Sequence, residues 1–299
     1  MIRLFIGPMS REIVDTACLF NARVPIALIP SRRQIDASGG YVNNWTTRQF
    51  IDYVRDKSTT VTIVRDHGGP EQGQCVDDGF NSFAADIAAG FNILHVDPWR
   101  VVTNIDEAVA KTVECIMRCN AQDPAILFEI GTEEAIYPYT SHELHNFLTK
   151  LKQGVGSTLF ESNVRYAVVQ SGVKITGTIN SGNFNPAQLA SMCDIVHNFG
   201  LIAKEHNGDY LTEQEIRARV QLGLDCINIA PEFGVLQTKL VLDQHNCDMK
   251  KAYGICEQSK KYKKWIVADK NYDFGKELLI VHVSGHYNFM HEYFQQFMP

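Results

Sequence analysis

The sequence has 299 residues, of which 45% are hydrophobic and 21% are charged, and this composition allows one large globular domain or two smaller ones. The formal net charge of −6 and the pI near 5.9 argue against nucleic acid or an anionic membrane as the main partner. The N-terminus lacks a signal-peptide pattern and no apolar run is long enough to span a bilayer, so we expect a cytoplasmic protein.

Short apolar runs that are typical of buried strands recur along the whole chain, and each ends in a polar or glycine-rich segment. The predicted strands are 3–6, 25–29, 61–64, 92–96, 125–130, 164–169, 201–204 and 225–230. A predicted helix follows each strand. Their starts carry capping signals, such as Ser10, the Thr212/Glu215 capping box and the proline in the first turn at Pro186.

Eight strand-helix alternations predict a (β/α)8 TIM barrel over residues 1–250. An open doubly wound sheet has the same alternation, but no Gly-x-Gly-x-x-Gly follows an early strand. The polar residues lie at the strand ends across the whole series, which favours a closed barrel with one mouth. Residues 251–299 are predicted to form a C-terminal helical extension packed on the barrel, with a basic helix, a segment at 265–267 and an apolar run at 278–283.

The eight cysteines include no Cys-x-x-Cys pair, and several lie in apolar runs. We therefore expect reduced thiols and no disulfides. Cys115 and Cys119 lie on a predicted helix without nearby histidines, so a zinc site is not expected there.

The third strand ends in Asp66 and His67, followed by Gly-Gly-Pro, and His206 follows the seventh strand. A neutral imidazole at a strand end is a good ligand for a divalent metal, and an adjacent carboxylate can accept a proton or orient the ring. The alternative for His67 is a loop histidine that is hydrogen-bonded to the backbone. The two histidines can meet only if the barrel closes, so the metal hypothesis depends on the fold.

Further polar groups lie on the intervening strands. His95 and Asp97 alternate along the fourth strand and therefore face the same side, and Glu129 ends the fifth strand. Asp97 can instead cap a turn, and Glu129 can instead form a structural salt bridge. His286, near the C-terminus, can close over the mouth or only pack, and we expect packing.

Two lysines are candidate nucleophiles for a carbonyl substrate. Lys174 follows the sixth strand, and Lys204 lies in the seventh. Neither has a neighbouring pattern that marks it as a Schiff-base lysine.

Several of these segments, in this order, resemble the class II sugar-bisphosphate aldolase superfamily, and most closely the accessory-subunit branch of bacterial tagatose-bisphosphate aldolases. The resemblance covers about residues 26 to 235. The segments that carry it are 39–41, 65–70, 94–97, 128–133, 168–173, 205–210 and 227–231.

In the catalytic branch, the resemblance implies zinc held by three histidines and a neighbouring aspartate that shuttles protons during carbon-carbon cleavage. By motif, His67 and His206 are then metal ligands and Asp66 is the proton-transfer residue. Glu129 and Asp97 support the metal or the substrate.

The sequence departs from the family pattern on the sixth strand, where a ligand histidine is replaced by the segment 170–174. A third ligand is then expected from Glu205, with Gln170 or Glu129 as alternatives, and Mn²⁺ or Mg²⁺ becomes possible beside Zn²⁺. In place of the phosphate-binding Gly-Gly-Ser-Gly loop the chain has Asn207-Gly208-Asp209, where the carboxylate of Asp209 disfavours a phosphate. The residues expected to bind substrate are His95, Gln170, Lys174, Asn207, Asp209 and Asn228.

These observations predict a metal-dependent, aldolase-type lyase that acts on a small sugar-derived carbonyl compound. One alternative is a non-catalytic subunit that supports a partner aldolase chain. Another is a metal-dependent barrel isomerase or epimerase that uses Asp66 and Glu129 as acid and base. A homo-oligomer is expected only because barrel enzymes often associate.

Overall fold

A computed structural model describes residues 3–245, 247–266 and 276–298 of the chain. The strands are β1 (Leu4–Ile6), β2 (Ile26–Leu28), β3 (Thr62–Gly68), β4 (Ile93–Val96), β5 (Leu127–Ile130), β6 (Val164–Val169), β7 (Ile175–Thr176), β8 (Ile179–Asn180), β9 (Ile202–Glu205) and β10 (Cys226–Ile229). Eight of them form a closed barrel in the order β1-β2-β3-β4-β5-β6-β9-β10, and β7 and β8 form a small hairpin. Every pairing in the barrel is parallel.

The predicted TIM barrel is therefore confirmed, and each predicted barrel strand overlaps an observed one. The hairpin of β7 and β8, which the sequence did not predict, lies in the segment after β6. The helices are α1 (Arg11–Asn21), α2 (Thr47–Lys57), α3 (Phe80–Ala89), α4 (Ile105–Gln122), α5 (Ser141–Val155), α6 (Ser157–Asn163), α7 (Pro186–Asn198), α8 (Glu213–Gln221), α9 (Pro231–His245), α10 (Met249–Ser259), α11 (Lys276–Ser284) and α12 (Glu292–Gln295).

Local capping signals fix several helix starts. The Thr212 side chain accepts the Glu215 N–H while the Glu215 carboxylate accepts the Thr212 N–H, which completes the predicted capping box. The Asn185 side chain caps α7, with Pro186 in its first turn. Among the described helices, none is long and apolar enough to cross a bilayer.

The inside of the barrel has an apolar layer and, toward the carboxyl ends of the strands, a charged layer. An inner cluster of Phe5, Ala27, Ile29, Val64, Ile93, Tyr166 and Cys226 fills one layer. The Nζ atom of Lys204 lies 3.9 Å from the centroid of the Phe5 ring and 2.6 Å from the Glu129 carboxylate. Charged side chains therefore begin where the apolar layer ends, toward the carboxyl ends of the strands.

The three C-terminal helices α10, α11 and α12 enclose a second apolar cluster of Leu242, Ala252, Cys256, Ile280, Val281, Phe289, Tyr293 and Phe294. Because Leu242 belongs to α9, this cluster joins the extension to the last helix of the barrel. The division of the chain at residue 250 stays a prediction. Of the segment predicted at 265–267, residue 267 lies outside the described residues.

Candidate metal centre

Three histidines meet at the mouth of the barrel. His67 lies near the end of β3, His95 lies in β4, and His206 directly follows β9. Each offers a ligand atom, and the three atoms lie within 4.8 Å of one another. The rings are 5.0 to 5.3 Å apart between centroids. This separation leaves room for one metal ion between the rings.

The backbone at His67 explains how its ring reaches this position. The register between β3 and β4 shifts between Arg65 and Gly68, and His67 has a left-handed φ of 45°. Bulges of this kind redirect side chains next to functional sites, and a non-glycine residue with positive φ is uncommon. A motif of Asp-His-Gly-Gly-Pro therefore supports both the ligand and the strained turn that presents it.

Each imidazole has one nitrogen engaged by an oxygen atom outside the cluster. His67 Nδ1 lies 2.5 Å from Asp97 Oδ2, His206 Nε2 lies 2.8 Å from Glu129 Oε1, and His95 Nε2 lies 3.0 Å from the carbonyl oxygen of Gly131. Because these oxygens accept, the network assigns the proton to the engaged nitrogen. In a neutral ring the other nitrogen then carries a lone pair, as in metal-binding histidines that donate to a carboxylate or carbonyl.

The remaining nitrogens surround the carboxylate of Asp66. His67 Nε2 and His206 Nδ1 each lie 3.8 Å from an Asp66 oxygen, and His95 Nδ1 lies 3.9 Å from one. His95 Nδ1 also accepts the backbone N–H of His67 at 3.1 Å, so a metal would share or replace that hydrogen bond. Three imidazoles with oriented tautomers and one carboxylate form a donor set that fits a divalent cation such as Zn²⁺.

The pKa shifts of the cluster agree with a site for a divalent cation. Burial by itself would raise the pKa of Asp66, but the charges of the three histidines hold it well below its usual range. Burial would likewise lower the pKa of His67, but the nearby carboxylates, with Asp66 the strongest, raise it to about 9. Without a metal, His67 therefore keeps a second ring proton at neutral pH, and metal binding would release that proton.

A buried ion pair supports the cluster from below. Lys204 Nζ lies 2.6 Å from Glu129 Oε2, both residues are fully buried, and the other Glu129 oxygen accepts from His206. Glu129 therefore forms a salt bridge, which was the alternative to a role at the metal or substrate. Lys204 is engaged by this carboxylate at 2.6 Å, an arrangement that does not suit a Schiff-base nucleophile.

The mouth above the histidines is a cavity of about 630 Å³, large enough for a small sugar derivative. Seven predicted site residues line it, namely Asp66, His67, Lys174, His206, Asn207, Asp209 and Asn228. The Asn228 amide nitrogen lies 3.4 Å from Asp66, while its buried Oδ1 has no hydrogen-bond partner among the described residues. An acceptor in this state can receive a substrate hydroxyl.

Two of these residues also have structural partners. Asn207 donates to Glu133 at 2.6 Å, and Asp209 accepts the backbone N–H groups of Ala230 and Glu232 at the start of α9. Asp209 is therefore a cap for that helix as well as part of the cavity wall.

Glu205 does not complete the ligand set, and the expectation that it does needs correction. Its carboxylate pairs with Arg219 of α8 at 2.9 Å and accepts the Ser171 hydroxyl. Successive residues of a strand face opposite sides, so Glu205 points outward while Lys204 points into the barrel. His95, which we expected to bind substrate, is the third member of the histidine cluster.

Gln170 also lies apart from the mouth cavity. Its side chain accepts the N–H of Tyr139 and donates to the carbonyls of Thr132 and Tyr137. These contacts hold the loop after β5 in place and leave no free group for a substrate.

The sequence signal for the position of His95 is its alternation with Asp97, although we expected His95 to bind substrate. His95 and Asp97 were expected to face the same side of the fourth strand, and that alternation places His95 beside His67 while Asp97 holds the His67 ring. A weaker sequence signal existed for the inward position of Lys204. It lies in an apolar strand two residues before His206, and side chains two residues apart in a strand face the same side.

No family model matches this sequence, and no curated protein matches it. Solved structures do match over nearly the whole chain. A probable tagatose 6-phosphate kinase from Sinorhizobium meliloti 1021 has a TM-score of 0.78 at 17% identity, covering 99% of this chain and 85% of that one. The fructuronate-tagaturonate epimerase UxaE from Cohnella laeviribosi has a TM-score of 0.67 at 12% identity, with 99% and 76% covered. The YdjI aldolase from Escherichia coli K12 has a TM-score of 0.57 at 14% identity, with 99% and 89% covered.

At these identities the likeness establishes the fold. This chain has the barrel fold that aldolases and an epimerase of sugar metabolism also have, as the resemblance to the class II aldolase superfamily implied. The activity must be argued from the site.

Proposed function

We propose that this protein is a metal-dependent enzyme of aldolase type, which cleaves a carbon-carbon bond in a small sugar-derived carbonyl compound. The observation that carries the proposal is the convergence of three correctly oriented imidazole nitrogens on the carboxylate of Asp66. His67, His95 and His206 would hold the metal, and three nitrogen ligands favour Zn²⁺ over Mg²⁺.

When bound, the metal would polarise the substrate carbonyl and stabilise the negative charge that develops on its oxygen. Asp66 is ionised and lies beside the ligand nitrogens, so it accepts the proton of the hydroxyl next to the breaking bond as that hydroxyl becomes a carbonyl. Asn228 Oδ1 is free to accept a second hydroxyl and so to orient the substrate.

The other residues of the site position these groups. Asp97 and Glu129 fix the tautomers of His67 and His206, and Lys204 fixes Glu129. A complete donor set with its supporting carboxylates favours an enzyme over a non-catalytic partner subunit.

An epimerase is the second candidate, because the fold likeness extends to an enzyme named as a fructuronate-tagaturonate epimerase. In that case Asp66 would move the proton. Glu129 is unsuited to be its acid-base partner, since Lys204 and His206 occupy both of its oxygens. The two candidates share the metal and differ in their product.

Metal analysis and product analysis together test the proposal. The purified chain is stripped with a chelator and reloaded with Zn²⁺, Mn²⁺ or Mg²⁺. It is then incubated with ketoses, ketose phosphates and sugar acids, and the products are followed by NMR. We expect one metal per chain, activity that disappears on chelation, and two shorter fragments rather than an epimer.

Three variants sharpen this test. H67A should lose stoichiometric metal. D66N should keep the metal and lose activity by about 10²- to 10⁴-fold, the usual contribution of general acid-base catalysis. H142A, an exposed histidine on α5, is the control and should behave as the parent. Equal metal binding by H67A and the parent, or full activity in D66N, would refute the proposal.

A further inference from the structure

The mouth cavity collects positive charge in a protein whose formal net charge is −6. Five cationic residues line it, namely Arg33, Lys174, Lys260, Lys261 and Lys264. Within the described ranges, none of the five is within 4 Å of a carboxylate. Arg32, next in sequence to one of them, differs: it pairs with Asp36 at 3.0 Å and with Asp77 at 2.6 Å. A neighbouring arginine thus forms ordinary ion pairs, whereas the five cationic residues of the cavity form none within the described ranges.

The three acidic residues of the cavity wall already have partners. Asp66 lies among the histidines, Glu133 accepts from Asn207, and Asp209 caps α9. The cavity therefore has one end occupied by the histidines and Asp66, and a cationic wall whose side chains form no close ion pair within the described residues.

Arg33 and Lys264 are close enough to act on each other electrostatically. Both side chains are exposed at the cavity. Partial desolvation is the main effect that lowers the pKa of Lys264; the carboxylate of Glu133 raises that pKa, and the positive charges of Arg33 and Arg100 lower it. Partial desolvation and Arg100 also lower the pKa of Arg33. Like charges gathered at a cavity wall cost free energy, and a bound anion would relieve that cost.

The segment that carries Lys264 is attached firmly to the barrel. Lys264 Nζ lies 4.4 Å from the centroid of the Trp265 ring, whose Nε1 donates to the Tyr287 hydroxyl at 3.2 Å. The carbonyl oxygen of Trp265 accepts the N–H of Gly177, in the turn between β7 and β8, at 2.7 Å. The side chain of Trp265 packs with Ile175 of the same hairpin. The hairpin and the C-terminal extension together therefore hold the segment that carries Lys264 against the barrel.

We propose that this wall is an oxyanion subsite, in which Arg33 of the loop after β2 and Lys264 of the C-terminal extension bind a terminal phosphate or carboxylate of the substrate. This inference rests on the proposed function for the identity of the ligand as a substrate. A guanidinium group and an ammonium group suit the oxygens of either anion. The anion would lie at the cationic wall and the reacting carbonyl at the histidines, so the subsite sets the direction of the bound substrate.

Binding to the metal-free chain tests the subsite independently of catalysis. Inorganic phosphate and gluconate are titrated calorimetrically into the chelator-treated full-length protein, its R33M and K264M variants and the double variant. K263M is the matched control, because Lys263 is, like Lys264, an exposed lysine of the same turn but does not line the cavity. We expect R33M and K264M each to weaken anion binding by about tenfold, as for the loss of one charge-assisted hydrogen bond, and K263M to bind as the parent.

The two probes separate the two sources of the anion. Tighter binding of phosphate assigns the subsite to a sugar phosphate, and tighter binding of gluconate assigns it to a sugar acid. The proposal would be overturned if the double variant bound each anion as tightly as the parent does. It would also be overturned if K263M weakened anion binding as much as R33M and K264M do.

Kinetics distinguish failure of the subsite from failure of the proposed function. If the chain is an active lyase, R33M and K264M should raise KM far more than they lower kcat, and unchanged KM values would reject the subsite while the lyase stands. If no cleavage is found but the variants lose anion binding, the subsite stands and the lyase does not.

Discussion

The buried pair of Lys204 and Glu129 makes a quantitative prediction about stability. Both side chains are about 1% exposed, and their charged atoms are 2.6 Å apart. K204M leaves the Glu129 carboxylate with only His206 as a donor, and E129Q leaves the Lys204 ammonium against the Phe5 ring without a counterion. Removing one partner of a buried pair costs about 3–5 kcal/mol, because the charge that remains is no longer compensated.

The double variant K204M/E129Q should lose less than the sum of the two single changes, since it removes both charges. We expect a coupling free energy of about 2–3 kcal/mol, which is at the upper end for residues in direct contact. The exposed pair Arg217 and Glu213, with side chains 73% and 76% exposed, is the control, and R217M should change stability by less than about 1 kcal/mol.

Urea unfolding followed by circular dichroism measures all four free energies of unfolding. Metal affinity is measured on the same samples, because Glu129 orients His206, and E129Q should weaken binding by about 10- to 100-fold. Additive losses in the double variant, or a K204M variant as stable as R217M, would refute the reasoning that this pair is electrostatically coupled.

Two further predictions concern buried groups away from the metal. His286 is buried, and its ring has no hydrogen-bond partner within the described part of the chain; burial, with a smaller effect of Lys264, lowers its pKa to about 3. The unfolded chain binds the proton below about pH 6.5, so this residue contributes stability that is complete above that pH and lost as the pH falls; at pH 5 the loss is about 2 kcal/mol. The non-titrating variant H286N should lack this part of the pH dependence in urea unfolding between pH 7.5 and 5, and an unchanged slope would contradict the assignment. Gly79 has a φ of 79°, and an added Cβ would lie 2.3 Å from the backbone of Gly69, whereas Gly90 has a φ of 97° with nothing near the added atom. G79A should therefore cost clearly more than the about 1–2 kcal/mol expected for G90A from backbone strain alone, and equal losses in thermal unfolding would show that the close approach does not matter.

Much of the fold follows from local patterns in the sequence. The apolar runs, their polar ends and the helix caps at Ser10 and Thr212 are properties of short segments, and they predicted eight barrel strands and their parallel order. The same logic placed Asp66, His67 and His206 at strand ends. Because the carboxyl ends of barrel strands share one mouth, closure alone brought these residues together.

The composition of the ligand set depended on tertiary structure. The motif of strand β9 offers Glu205 and His206 side by side, and only the position of Arg219 on α8 shows that the glutamate faces outward. The third histidine of the cluster, His95, comes from a strand that carries no metal motif of its own.

By itself, the sequence determined the barrel, the carboxylate beside the first histidine and two of the three clustered histidines, because these depend on strand periodicity and on residues that are neighbours in the chain. Tertiary structure decided that His95 joins them and that Lys204 supports Glu129. It also decided that Arg33 and Lys264, which are far apart in sequence, share one wall of the mouth. The physical reason is that these contacts depend on which face of each strand points inward and on where the C-terminal extension packs, and both are set by the closed barrel as a whole.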